Sequence, residues 1–364
     1  MSATNVDPNA IETPVPVPGR IGIRLPNSLR EVWNYVWTIG LALVLFGILL
    51  ALLGKDPIRA YTAIYDGALR DSYGWSEVVV KMIPFILTAL AVAIPARLGL
   101  INVGGEGQIY IGAVFASFVA LKFGALPPVI LIPLLVAAGA LGGALWGGVV
   151  GLTRAVVGLN ETISSLLLNY LAILMVDMLV HGPWKDPGGP NWAYTAEFPV
   201  NAHLATFGGS RISLGIVFAL VSVAVYFWLF RYTRWGYKMR VVGGNAEAAS
   251  RSGIRVNWYV IGALMLGAAF AGIAGMVEVT AIQWRLRAGI SNGYGYIGFL
   301  VAWLAIQKPG RIIVMAAIVS IVSVGGDMLQ IGAGLPSSTV NILMAFILFL
   351  VLRNQGLTSA KETS

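Results

Sequence analysis

Apolar residues are grouped into long runs along this chain, and short polar segments separate the runs. A helix that crosses the ~30 Å hydrocarbon core of a bilayer needs about 20 apolar residues, and most of the runs have that length. The pattern therefore predicts an all-α, polytopic membrane protein of about ten helices. The runs fall at about 33–53, 77–97, 101–121, 127–150, 162–182, 213–230, 258–280, 297–307, 311–331 and 337–353. The eighth run is short, which indicates a tilted or broken segment.

Composition supports a bilayer as the solvent for this chain. Of 364 residues, 57% are hydrophobic and 11% are charged, and the mean hydropathy is +0.80. Soluble domains carry roughly a quarter charged residues, so this chain has too few to cover a surface in water. We expect one permease-sized domain over 31–354. A flexible tail over 1–30 and a short tail over 355–364 flank it.

The basic residues predict an orientation. With both termini in the cytoplasm, 15 of the 24 Lys and Arg residues lie in inside segments, which agrees with the positive-inside rule. The net charge of +8 is therefore attributed to membrane topology, and no nucleic-acid partner is expected.

Catalytic and metal-binding motifs are not found in the sequence. There is no cysteine, and His181 and His203 stand 22 positions apart, so we expect no metal site. No lysine is followed by Ser or Thr, which excludes a P-loop, and neither HExxH nor GxSxG occurs. The chain is therefore expected to be no enzyme and to need no cofactor of its own.

Small residues recur at helical spacing in two of the runs. Gly139, Gly143, Gly147 and Gly151 make one smooth stripe, and Gly267, Ala271 and Gly275 make another. Such stripes let helix backbones approach closely, so the runs are expected to form a compact bundle.

The longest basic loop, Arg231 to Trp258, contains the signals of a short capped helix. Asn245 is a good N-cap, Glu247 favours the first turn, and Gly253 can close the last. We expect either an ordinary positive-inside loop or a helix that docks on a cytoplasmic partner. The residues of this candidate docking helix are Gly244, Asn245, Ala246, Glu247, Ala248, Ala249, Ser250, Arg251 and Gly253.

Several polar residues interrupt the apolar runs and are candidates for a transport pathway. Asn102, Glu106 and Gln108 stand among glycines in 99–112, which predicts either a cytoplasmic turn or a broken helix beside the path. Asn169 lies deeper in its run and is expected to face the bundle interior.

Aromatic residues after the seventh run allow two interpretations. Trp284, Tyr294 and Tyr296 fit an interfacial aromatic belt, or they line a mouth where rings stack on a flat ligand. A gradient-driven secondary transporter is a rival hypothesis, since Glu106, Glu278 and Asp327 could form an ion relay.

Six segments in this order resemble one family, the permease subunits of bacterial nucleoside ABC importers, within the larger group of ribose and branched-chain amino acid permeases. The segments are GLINVGGEGQ (99–108), LNETISSLLLNY (159–170), HGPWKDPGG (181–189), RVVGGNAEAASRSGI (240–254), NGYGYIGFLVAWL (292–304) and GGDMLQ (325–330).

The resemblance implies a function and a set of partners. It implies nucleoside import across the bacterial inner membrane, with ribose-type sugars or riboflavin as alternative substrates. The implied partners are a second permease chain, a cytoplasmic ATPase that uses ATP, and a substrate-binding lipoprotein or periplasmic protein. In such importers a cytoplasmic loop helix docks on the ATPase, and the matching segment here contains Asn245 to Gly253.

Overall fold

The computed structural model describes the backbone of residues 27–332, 335–336 and 339–362, with side chains over most of that range. Within those residues the chain forms helices and two isolated β-bridges but no β-strand, which confirms the predicted all-α fold. The helices are α1 (Asn27–Leu52), α2 (Pro57–Ala68), α3 (Ser72–Ala96), α4 (Gly105–Phe123), α5 (Pro128–Leu152), α6 (Glu161–His181), α7 (Gly215–Tyr232), α8 (Arg234–Gly244), α9 (Ala246–Arg251), α10 (Val256–Val277), α11 (Tyr294–Leu304), α12 (Pro309–Gly332) and α13 (Thr339–Glu362).

Each predicted apolar run coincides with one of these helices. Among the described residues, six helices are long and apolar enough to cross a membrane. Shorter apolar stretches lie in α1, α11 and α13. The prediction of a polytopic membrane protein is confirmed. π-Helical turns extend two of the spanning helices, α5 through Thr153–Val157 and α10 through Glu278–Gln283.

Two further helices, α2 and α8, were not predicted because each is too short to leave a long apolar run. Their start signals are nevertheless present. The Asp56 side chain accepts from the N–H groups of Ile58 and Arg59 and caps α2. The Thr233 hydroxyl accepts from the Gly236 N–H and caps α8.

The predicted tails fall largely outside the described residues or extend α13. Residues 1–26 lie outside the described residues, and 27–30 form the first turn of α1. Helical backbone continues through 355–362 as the end of α13. The cytoplasmic position of both termini stays a prediction.

The core forms where α10 is packed between α3, α4 and α5, and small residues allow this. The predicted stripe from Gly139 to Gly151 faces α10, and a Cβ on Gly139 would lie 2.9 Å from the carbonyl oxygen of Gly272. On another face of α10, a Cβ on Gly267 would lie 2.8 Å from the carbonyl oxygen of Ala91 in α3. The predicted close helix packing is confirmed.

Large apolar side chains cover the outer faces of α5, α6 and α7. Val129, Ile163 and Trp228 are 85%, 61% and 57% exposed. A soluble protein rarely exposes contiguous apolar patches of this extent. These three helices therefore present their outer faces to lipid or to another membrane protein.

Side chains at the two ends of α3 mark the two ends of the bundle. At one end, the Arg97 guanidinium donates to the Tyr226 hydroxyl at 3.0 Å and to the Gln307 carbonyl at 2.9 Å. At the other, Arg211 donates to Glu77 at 2.7 Å and to the Tyr73 hydroxyl at 3.3 Å. We refer to these as the Arg97 end and the Tyr73 end. The positive-inside rule predicts that the Arg97 end is cytoplasmic.

Candidate functional site

The connection between α3 and α4 turns back into the bundle as irregular backbone. After α3 ends at Ala96, residues 100–104 run beside α3, and the Asn102 carboxamide donates to the Ala91 carbonyl at 2.9 Å. Ala91 lies five residues, or about 7 Å, before the end of α3. Of the two interpretations of this segment, the geometry favours the broken helix, because α4 begins inside the span.

One face of α6 holds this irregular segment. Glu161, Ser165 and Asn169 are spaced by four residues and therefore lie one above the other. Their side chains accept from the backbone N–H groups of Ile101 at 3.2 Å, Val103 at 3.2 Å and Gly107 at 2.8 Å. The α6 face thus replaces the hydrogen bonds that an unbroken helix would have supplied.

Asn160 and Glu161 have different roles at the start of α6. Asn160 caps α6, since its side chain accepts from the N–H groups of Thr162 and Ile163. The Glu161 carboxylate instead bonds the Ile101 N–H and pairs with Arg154 at 3.2 Å.

Asn102 and Gln108 exchange hydrogen bonds through their carboxamides. The Asn102 amide donates to Gln108 at 3.3 Å, and the Gln108 amide donates back to Asn102 at 3.2 Å. Both side chains are fully buried. In this conformation they stabilise the break rather than face an open cavity.

The segment that leads into α11 is also irregular, and it enters the bundle from the opposite end. Residue Arg287 pairs with Tyr194 in an isolated bridge at the Tyr73 end, and α11 begins only at Tyr294. The Tyr294 carbonyl accepts from the Thr88 hydroxyl in the middle of α3 at 3.2 Å. Since α11 has 11 residues, it spans about 16 Å, half of the hydrocarbon core. The eighth run, predicted to be a tilted or broken segment, is therefore a short helix that does not cross the core by itself.

The carboxyl group of Glu106 joins the two discontinuous helices. Glu106 lies in the first turn of α4, is 2% exposed, and accepts from the N–H groups of Gly293 at 3.3 Å and Gly295 at 2.8 Å. The positive ends of both helix dipoles therefore meet at one carboxyl group. No ion pair among the described side chains includes Glu106, so hydrogen bonds and helix dipoles, rather than a side-chain cation, hold its carboxyl group.

A polar cavity lies where the missing half of α11 would have been. Its volume is ≈ 300 Å³, at the lower end of the ~300–1,000 Å³ typical of ligand pockets. Five elements wall it: the segment before α11, α11 itself, α3, α12 and α13. The lining residues are Lys81, Asn292, Tyr294, Ile297, Ser323, Asp327, Val340, Asn341 and Met344.

Two of the lining residues, Lys81 and Asp327, form an ion pair. The Lys81 ammonium lies 2.5 Å from the Asp327 carboxylate and also donates to the Ser323 hydroxyl at 3.2 Å. The Lys81 side chain is 16% exposed, whereas that of Asp327 is 60% exposed. Asp327 is therefore paired and at the same time accessible from the surface.

The predicted pathway residues separate into three groups. Tyr294 lines the cavity, whereas Asn102, Glu106, Gln108 and Asn169 form the buried junction beneath it. Tyr296 connects to that junction, because the Asn169 amide donates to its hydroxyl at 3.4 Å. Trp284 lies apart and stacks on His203 at a ring distance of 5.1 Å. A transport role for all seven residues stays a prediction.

Four polar cavity residues were not predicted: Lys81, Asn292, Ser323 and Asn341. Lys81 interrupts the apolar residues of the run at 77–97, and Asn341 lies near the start of the run at 337–353. A polar residue inside an apolar run is a signal that the sequence did contain.

The capped helix in the basic loop forms as predicted. Helix α9 spans Ala246–Arg251, and the Asn245 side chain accepts from the Ala248 N–H at 2.9 Å. Glu247 pairs with Arg251 at 2.6 Å, and Gly253 has the left-handed φ of +82° that closes the helix. Ala249 is buried while Glu247 and Arg251 are exposed, so α9 presents a charged face outward.

Comparison with known proteins decides the family. The family model described as "Branched-chain amino acid transport system / permease component" matches residues 74–352. The chain belongs to this family of transport permeases. The resemblance found in the sequence is thereby confirmed.

Relatives of this permease have named substrates. The glucose ABC transporter permease protein TsgB13 of Haloferax volcanii is 32% identical over 88% of this chain and 87% of its own. Two guanosine ABC transporter permease proteins of Bacillus subtilis also match. NupP is 28% identical over 85% of this chain and 90% of its own, and NupQ is 26% identical over 76% and 88%.

The permease is therefore a component of an ABC transporter rather than an enzyme. The rival hypothesis of a gradient-driven carrier loses its basis in Asp327 and Glu106. Asp327 pairs with Lys81, and the Glu106 carboxyl group bonds backbone N–H groups.

Proposed function

We propose that this permease imports nucleosides, and that the cavity above α11 lies on the transport path. The observation that carries the proposal is the cavity's lining at membrane depth. It combines a phenol ring, two carboxamides, a hydroxyl and an ion pair. A nucleoside presents a flat base and a ribose with hydroxyl groups, and these groups suit stacking and hydrogen bonding respectively.

The exposure of polar groups supports this position for the path. Asn292 and Asn341 are exposed, whereas the outer faces of α5 to α7 carry large apolar side chains. Polar groups facing lipid cost several kcal/mol each, so membrane-depth polar groups face a partner or a water-filled cavity. We infer that the face formed by α11 and α13 faces a second permease across the path.

The relatives support nucleosides and leave glucose and riboflavin as rival substrates, since a further relative is a probable riboflavin import permease by name. NupP and NupQ carry guanosine by name, whereas TsgB13 carries glucose. The hydrogen-bonding groups of the cavity also suit a sugar, so glucose is the second candidate. The ring of Tyr294 favours the nucleoside because an aromatic base adds stacking to the hydrogen bonds.

The proposed assembly contains this permease in the bacterial inner membrane, a second permease, a cytoplasmic ATPase and a substrate-binding protein. NupP and NupQ come from one organism, which supports a distinct second chain. The charged face of α9 docks on the ATPase. ATP binding shifts the population between an outward-open and an inward-open packing of the bundle.

The substrate class is tested by ATPase assays on the reconstituted transporter. We expect guanosine and other nucleosides, delivered by the binding protein, to stimulate ATP hydrolysis, with weaker or no stimulation by glucose, ribose and riboflavin. Stimulation by glucose alone would replace the nucleoside proposal with the sugar proposal.

Two variants test in the same assay whether the cavity of the permease, and not only the binding protein, recognises the substrate. Asn341→Leu removes a carboxamide from the cavity and is expected to weaken stimulation several-fold at unchanged basal hydrolysis. Asn257→Leu, on the far side of the bundle where Asn257 bonds the Ala155 carbonyl, serves as the matched control. Equal effects of both variants would remove the cavity from the path.

Loss of the α9 cap is expected to uncouple transport from ATP hydrolysis. Asn245→Ala removes the acceptor for the Ala248 N–H, and such a cap contributes about 1 kcal/mol to a helix. A helix of six residues has little other stability, so its docking face is lost. We expect substrate-stimulated hydrolysis to fall by more than half while the permease remains folded.

Asn160→Ala is the control for this experiment, because it removes an Asn cap from the long helix α6. The docking role would be refuted if Asn245→Ala transported normally, or if both variants lost the same activity.

A further inference from the structure

A second cavity lies at the Arg97 end, between α8 and the start of α10. Its volume is ≈ 510 Å³. It shares no lining residue with the cavity above α11. The residues that line this headgroup cavity are Trp235, Lys238, Gly253, Ile254, Arg255, Trp258 and Tyr259.

Aromatic rings form one wall of the headgroup cavity. Trp235 and Tyr259 stack at a centroid distance of 6.2 Å and an interplanar angle of 28°. Trp258 is 68% exposed and stands at the first position of an apolar run. Trp and Tyr rings are enriched at the depth of lipid headgroups, because one part of the ring is apolar and another is polar. The wall therefore has the composition that is typical of the boundary between hydrocarbon and headgroups.

Two unpaired cations form the other wall. Arg251 and Arg154 nearby pair with Glu247 and Glu161. Lys238 and Arg255 have no ion-pair partner among the described side chains. The segment from Arg231 to Trp258 contains six basic residues and one acid, Glu247. The cavity thus carries positive charge that no side chain of the described chain neutralises.

We propose that the headgroup cavity binds the headgroup of one anionic phospholipid from the leaflet at the Arg97 end. The lipid phosphate and its neighbouring groups accept from Lys238 and Arg255, and the glycerol and upper acyl chain lie against Trp235 and Trp258. Basic pockets beside spanning helices on the cytoplasmic side are suited to anionic lipids by this combination of charge and aromatic surface.

The position of the site allows a bound lipid to affect α9. Gly253 and Ile254 line the cavity and directly follow α9, whose last turn is closed by Gly253. A lipid bound there contacts the segment that fixes α9 against α10. Anionic lipid is therefore expected to hold α9 in one position and to raise the stability of this end of the chain.

Lipid binding is measured by native mass spectrometry on the purified full chain and on the chain co-expressed with its cognate ATPase. Phosphatidylglycerol and phosphatidylcholine are titrated separately. In Lys238→Gln/Arg255→Gln we expect the apparent Kd for the first phosphatidylglycerol to rise about tenfold or more, with phosphatidylcholine unaffected. Lys238→Arg/Arg255→Lys keeps both charges and is expected to retain binding.

Arg231→Gln/Arg240→Gln is the matched control, since it removes the same charge from the same loop outside the cavity. An equal loss in the control would overturn the proposal, because it would show attraction to the basic surface as a whole. An unchanged Kd in the cavity variant would overturn it as well. So would loss of the ATPase from the cavity variant with unchanged lipid affinity, which would assign the cavity to a protein contact.

Discussion

Glu106→Ala is expected to destabilise the permease more than any other removal of a single carboxyl group. The variant leaves the N–H groups of Gly293 and Gly295 buried without an acceptor, and each such donor costs roughly 1–3 kcal/mol. It also leaves the positive ends of α4 and α11 facing each other with no negative group between them. We expect a strongly lowered melting temperature in detergent and loss of transport.

Glu106→Gln keeps one carbonyl oxygen as an acceptor and is expected to lose clearly less stability. Glu197→Ala serves as the control, because Glu197 forms a half-exposed pair with Arg285, and exposed pairs contribute about 0–1 kcal/mol. A Glu106→Ala variant as stable as the Glu197→Ala variant would show that the carboxyl group does not hold the two helices together.

Gly272→Ala is expected to prevent correct packing of α10 against α4 and α5. A Cβ on Gly272 would collide with the carbonyl oxygen of Gly139 and lie 2.9 Å from the Cα of Gly143. A Cβ on Gly112 would in turn collide with Gly272. Because the obstacles are backbone atoms, whole helices must move apart, at a cost of about 1–3 kcal/mol or more. Gly272→Leu is expected to yield no monodisperse protein.

Gly262→Ala on the same helix is the matched control. Its Cβ would lie 3.6 Å from the Trp235 ring, an ordinary contact, and alanine is favoured over glycine in a helix by about 1 kcal/mol. The measurements are the gel-filtration yield and the melting temperature of both variants, and we expect both to be lower for Gly272→Ala. Equal behaviour of Gly272→Ala and Gly262→Ala would contradict the crossing of three helices at Gly272.

Each of the two predictions combines a feature that is local in the sequence with a contact between residues far apart in the chain. The stripe from Gly139 to Gly151 is visible in the sequence because its spacing is local, and it correctly indicated close packing. Which helix it faces is not local, since Gly272 follows Gly139 by more than a hundred residues. Similarly, Glu106 stood out as an acid in an apolar run, but nothing local connects it to Gly295, 189 residues later.

Local signals also account for α9 and the caps. Asn245, Glu247 and Gly253 specify a short helix through interactions within four residues of one another, so the sequence was sufficient to predict it. The unpredicted α2 has a comparable signal in Asp56 and Pro57, but its amphipathic sequence contains no long apolar run.

The sequence by itself therefore determined the class of the protein, the positions of its spanning helices and its resemblance to a family, whereas near Glu106 it left a turn and a broken helix open. These follow from hydropathy, short-range capping and ordered motifs, which all lie within a few residues of the chain. Only the tertiary structure decided which polar residues share a cavity. Lys81 meets Asp327 across 246 residues, and the headgroup cavity joins α8 to α10. The packing of helices at glycine crossings sets such meetings, and the geometry of those crossings depends on the whole bundle.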